Sequence, residues 1–134
     1  MVSVYTNHLR LEEIGTGEQS GDWGTTTNTN LELIAEGFSY GTEAIADADT
    51  TITMADGASD GARSLYLKIT SSTNLTATRT ITLAPNTVSK VWIIENATGG
   101  SQIITIKQGT GSGASVNIAN GQVKMIATDG GGTG

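Results

Sequence analysis

Thr76-Ala77-Thr78-Arg79-Thr80-Ile81-Thr82-Leu83 alternates without a break. In an extended chain the four threonines fall on one face and Ala77, Arg79, Ile81 and Leu83 on the other, because successive strand side chains point to opposite sides. The threonine face reads as the solvent side of a strand with one buried face. Upstream, Leu65, Leu67 and Ile69 alternate with Tyr66 and Lys68, and Thr51-Ile52-Thr53-Met54 leads into the turn Asp56-Gly57. Downstream, strands read at Ile103 to Lys107, Ser115 to Ile118 and Gln122 to Thr128. Val91-Trp92-Ile93-Ile94 is apolar on both faces, so that strand is central or meets another subunit. The period of two from residue 48 onward predicts an all-β domain, a β-sandwich or jelly roll of about seven short antiparallel strands over 42–128.

The 134 residues weigh 13.8 kDa, which is one domain. Thirteen acidic against seven basic residues give a net charge of −6, with no basic stripe to neutralise phosphates, so neither nucleic acid nor an anionic membrane is an expected partner. No apolar run approaches the roughly 18 residues of a membrane span, so insertion is not expected. Cysteine is absent and His8 is the one histidine, which excludes disulfides, thiolate chemistry and histidine metal clusters within one chain. Threonine (22) and glycine (18) dominate, the first suited to pleated surfaces and the second to tight turns. So little aromatic bulk predicts a thin core and association with other copies or a larger assembly.

Residues 1–28 read as an extended attachment arm, because Gly15, Gly17, Gly21 and Gly24 interrupt every periodic run. Leu9, Leu11 and Ile14 are its one amphipathic hint, and Trp23 stands between glycines that free its ring either to enter a partner's pocket or to fold back on its own domain. Such an arm leaves its backbone unsatisfied unless it lies along a partner. Its removal is expected to leave the β-domain folded. A short helix and turn follow over 29–41: Thr29 and Glu32 have capping-box spacing, Leu31, Ile34 and Phe38 share one face, and Gly37 marks the end. The opening residues carry neither a basic start nor an apolar run, so no secretory leader is expected. Residues 129–134 have the composition of a linker.

Three segments resemble one another: Thr51 to Asp56, Thr80 to Pro85 and Ser115 to Asn120, each a strand end running through alanine into a turn. Their intervals of 29 and 35 residues read as too irregular for a solenoid.

Reactive constellations are scarce. The lone histidine lies in the arm, so a serine–histidine triad is not expected. The pairs Glu12 with Glu13 and Asp47 with Asp49 have nothing in the pattern to bury them and read as solvated charge. Asp56-Gly57-Ala58-Ser59-Asp60-Gly61 lacks the spacing and closing glutamate of a calcium loop and reads as a turn. The glycines of 99–100 and 109–113 lack the lysine and following helix of a phosphate loop. No cofactor, metal or catalytic residue is expected.

The stretch from Leu9 to Leu31, with Gly21-Asp22-Trp23-Gly24 and Asn28 before a short helix, resembles the opening of small virion and fibre proteins of tailed bacteriophages. Val91-Trp92-Ile93-Ile94-Glu95-Asn96-Ala97-Thr98-Gly99-Gly100 and the close from Asn120 to Gly130 resemble the same family. The resemblance implies a non-enzymatic tail-fibre or fibre-like protein, made in the bacterial host cytoplasm and built into the virion. It implies a homotrimer that binds other virion proteins of tail or capsid through its arm. Leu9, Leu11, Ile14, Trp23 and Trp92 are then the attachment or interface residues, with Trp92 in the β-core or between subunits. A capsid decoration protein that staples neighbouring capsomers is the alternative, and a module binding host surface glycans is a third.

Overall fold

The computed structural model describes residues 2–109 and 111–132. Met1 of the expected arm, Thr110 of the glycine-rich connection, and Thr133 and Gly134 of the tail lie outside the described residues.

Helix α1 spans Trp23–Glu36 and is followed by β1 (Tyr40–Ile45), β2 (Thr50–Thr53), β3 (Tyr66–Ser71), β4 (Arg79–Ala84), β5 (Ser89–Asn96), β6 (Ile104–Gln108), β7 (Ser115–Ile118) and β8 (Val123–Asp129). The strands form two four-stranded sheets, ordered β1-β3-β5-β8 and β2-β4-β6-β7. Pairing is parallel from β1 through β3 to β5 and from β2 through β4 to β6. Only β8 on β5 and β7 on β6 run antiparallel.

From β1 to β6 successive strands therefore alternate between the sheets, and the chain winds as a coil that climbs one strand per turn. Tyr40 lies opposite Tyr66 and Tyr66 opposite Ile93, steps of 26 and 27 residues. On the second sheet Thr50 lies opposite Ile81 and Ile81 opposite Ile106, steps of 31 and 25. The pair β7 and β8 closes the last turn.

This corrects the expected fold. The chain is an α/β fold with two mixed, largely parallel sheets and one helix, not an all-β sandwich or jelly roll of antiparallel strands. Alternation reveals which side chains face inward, but it is blind to which strand lies alongside. Parallel neighbours need a crossover, and here each crossover contains a strand of the opposite sheet.

Inward side chains of the first sheet, Ile45, Leu67, Ile69, Trp92, Ile94 and Ile126, meet Ile52, Ile81, Leu83, Ile104, Ile106 and Ile118 of the second in one core. Polar groups at its ends are satisfied. The Asn96 amide donates to the carbonyls of Gln102 and Ile118 and accepts from Thr98, while Gln108 donates to Val88 and accepts from Gly130. Among the described residues no buried side-chain nitrogen or oxygen lacks a partner.

The outer edge of β1 is shielded by the segment 55–64, with its 3₁₀ turn Gly61–Arg63. Asp60 organises it, accepting from the Ala62 and Ala55 amides. Gly41 and Gly61 permit the close approach: a Cβ on Gly41 would stand 2.7 Å from the Gly61 carbonyl. Covering an edge in this way blocks uncontrolled strand addition.

Helix α1 begins six residues before the capping-box position at Thr29, directly after Asp22, and ends at Gly37. Its threonines are weak helix formers, so tertiary contacts set its extent. Leu33 is buried, Asn30 exchanges two hydrogen bonds with the Glu12 backbone, and Glu36 pairs with Arg63. Residues 23–28 are thus helix instead of extended arm.

Candidate functional site

The N-terminal segment satisfies itself and its own chain. Val4 and Glu13 exchange backbone hydrogen bonds, and Asn7 bonds both ways to the Leu11 backbone. Hydrogen bonds from Asn7 and Thr6 hold the Glu13 carboxyl below its usual range. The loop so closed is clipped to the coil. Arg63 donates to the Leu9 carbonyl at 2.7 Å, Gly57 N–H donates to Arg10, Arg10 pairs with Asp56 at 2.6 Å, and Ser89 N–H donates to His8 Nδ1 at 2.9 Å.

The candidate interface residues of this layer do not converge. Leu9 and Leu11 are half-buried, with Leu9 packed over Gly37, while Ile14 is at the surface. Trp23 opens α1 and is 64% exposed, and Leu31 and Ile34 are exposed further along the same helix. Trp92 is elsewhere, 2% exposed in the core, with its indole N–H donating to the Ala62 carbonyl.

The carboxylate pairs serve local structure. Glu12 accepts from Gln19, Asp47 accepts from Thr76 and Arg79, and Asp49 accepts from the Thr80 amide. The Thr76 hydrogen bonds, with Arg79, keep Asp47 acidic. Asp56 and Asp60 of the expected turn are held by Arg10 and by backbone amides. Among the described residues no three His, Cys, Asp or Glu side chains are grouped to hold a metal ion. No helix there is long and apolar enough to cross a membrane.

Parallel register assembles a surface that the sequence did not single out. The first sheet turns Leu67, Ile69, Trp92 and Ile94 inward, so the alternate positions face out. Tyr40, Tyr66, Ile93 and Met125 stand opposite one another across all four strands, one apolar row along the coil axis. The rings of Tyr40 and Tyr66 stack with centroids 5.3 Å apart. Met125 is 72% exposed, Tyr40 58% and Phe38, at the turn before β1, 75%. Val91 and Val123 extend the patch on β5 and β8.

Beside it runs a second row, Thr42, Lys68, Glu95 and Val123. Lys68 lies 3.8 Å from the Glu95 carboxylate, which also accepts from the Tyr66 hydroxyl at 2.8 Å. That hydrogen bond raises the Tyr66 pKa.

At one corner the patch dips into a cleft of about 260 Å³ between Leu9, Phe38, Leu65 and Val91, with His8 and Lys90 on its wall. Lys90 Nζ sits 4.8 Å over the Trp92 ring and donates to the Val91 carbonyl at 3.1 Å. Burial, with the Arg63 charge nearby, pushes its amine down to about 8.

No protein-family model matches the chain, and neither a curated protein nor a solved structure does. What it can do is therefore argued from this surface.

Proposed function

We propose that the chain is a non-enzymatic structural protein of a bacteriophage virion, a tail-fibre or fibre-like appendage domain that works by contacts between copies and with neighbouring virion proteins. The observation that carries this reading is the apolar face Phe38, Tyr40, Tyr66, Ile93, Met125. The core is closed between the two sheets without it, so an apolar face of this extent left open to water costs solubility unless it is covered. Exposed apolar side chains on α1, Trp23 at its start and Leu31 and Ile34 two to three turns on, give the N-terminal layer its own surface for docking to the particle. The fibre reading is preferred to capsid stapling because the N-terminal segment is clipped to its own coil through Arg63, Arg10 and His8. A staple needs that segment free to reach across neighbours.

The test is to locate the chain in intact particles by electron cryomicroscopy with an epitope at Gly111, between β6 and β7, where the space around the backbone is open. Density at the tail or its fibres supports the reading. A head-surface position favours the decoration alternative, and absence from the particle overturns the virion assignment.

A further inference from the structure

We infer that the outer face of the first sheet packs against the same face of a second copy across a two-fold axis parallel to the strands, forming a sheet-on-sheet pair. The inference rests on the self-associating reading above and names the partner of that surface.

The register carries it. A two-fold axis along the strands, midway between β3 and β5, keeps each row facing itself and reverses the order of strands. Strand β1 then lies over β8 of the second copy and β3 over β5. In the apolar row this sets Tyr40 against Met125 and Tyr66 against Ile93, pairing an aromatic ring with a thioether, a favourable contact. In the neighbouring row it sets Lys68 against Glu95 and Thr42 against Val123, so each pair brings opposite charges together twice. A three-fold arrangement with parallel coil axes, the form implied by the fibre resemblance, instead brings Lys68 to the level of Lys68 and Glu95 to the level of Glu95. Like charges at one level oppose that packing.

Area and geometry agree. Taking an exposed aromatic at roughly 150–250 Å², Phe38, Tyr40, Tyr66, Val91, Ile93, Val123 and Met125 leave on the order of 700 Å² open, against about 800 Å² per partner in a stable interface. Two sheets packed with strands nearly aligned at about 10 Å is a standard way to cover such faces. An isologous two-fold contact is also closed, which stops association at the pair.

The chain contains no cysteine, so introduced thiols report without background. Thr42→Cys and Val123→Cys are made separately, checked by circular dichroism, and treated with a bis-maleimide spanning roughly 10 Å, the separation of packed sheets. The expected result is a dimer mass by light scattering and cross-linking only when the two variants are mixed and allowed to exchange. Cross-linking of either variant with itself, or a trimer mass, overturns the two-fold packing and leaves self-association standing. A monomeric wild type at tens of micromolar overturns both.

A charge exchange gives an independent readout. Lys68→Glu is expected to weaken the pair at least ten-fold, and Lys68→Glu combined with Glu95→Lys to restore it. Unchanged association of a folded Lys68→Glu protein also overturns the proposal.

Discussion

The wholly buried guanidinium of Arg63 stands 2.9 Å from the Glu36 carboxylate and joins three parts of the chain at once. Its other donors reach the carbonyls of Leu9, Ala58 and Ala55, so arm, helix and edge-covering loop meet on a single side chain. Replacing it breaks the ion pair and also leaves those three carbonyls without their donor, at about 3–5 kcal/mol in all. Arg63→Met is expected to lose stability of that order in urea unfolding. Glu36→Gln retains an acceptor for the guanidinium and is expected to lose only about 1–2 kcal/mol. Equal losses in the two variants would mean that the ion-pair charge, which both remove, holds the junction and that the three carbonyl hydrogen bonds add nothing net.

The same junction makes the N-terminal segment part of the fold. Cutting residues 2–21 removes the Leu9 acceptor, the Arg10–Asp56 pair and the His8 contact to Ser89. A chain beginning at Asp22 is expected to unfold at a clearly lower urea concentration than the full chain, contrary to an arm dispensable for folding. An unchanged midpoint would show that the clips contribute nothing net.

Much of the inward pattern was legible. Leu67, Ile69, Ile81 and Leu83 face the core as their alternation indicates. The coil was also faintly written: the corners at Thr51 and Thr80 are 29 residues apart, close to the step of 31 that sets Thr51 opposite Thr82. The third corner, at Ser115, belongs to antiparallel β7, whose reversal breaks the interval and hid the repeat. The stripe could not be read at all. Tyr40, Tyr66, Ile93 and Met125 are strangers in sequence until parallel register aligns them, and the one available signal was Val91-Trp92-Ile93-Ile94, apolar on both faces. The helix start was misplaced for a related reason: Thr29 and Glu32 look like a local cap, while the actual limits follow from distant partners at Glu12 and Arg63.

At the covered edge, Gly41 is the sensitive position. A methyl there meets the Ser64 hydroxyl and stands 2.7 Å from the Gly61 carbonyl, so β1 and the loop must separate. Forced overpacking of this kind costs about 1–3 kcal/mol. Gly41→Ala is expected to lose that much and to speed amide exchange in residues 55–64, whereas Gly24→Ala, in open space on the first turn of α1, is expected to cost no stability and to leave that exchange unchanged.

Lys90 makes stability rise with alkali over a limited window. Its folded pKa, about 8, lies below the unfolded value near 10.4, so between those limits the unfolded chain binds the extra proton. Below pH 8 the amine is charged in both states and the full cost of burying that charge is present. The cost is relieved as pH climbs toward 10. Because the amine keeps some contact with water, the gain is held to about 1–2 kcal/mol. The raised pKa of Tyr66 acts oppositely once free tyrosine ionises near pH 10, since the folded hydroxyl keeps its proton longer. Urea midpoints from pH 7.5 to 9.5 are therefore expected to increase in the wild type. Lys90→Met is expected to be more stable at pH 7.5 and nearly flat over the same range. A flat wild-type profile, or the same slope in the variant, would place the titrating group elsewhere.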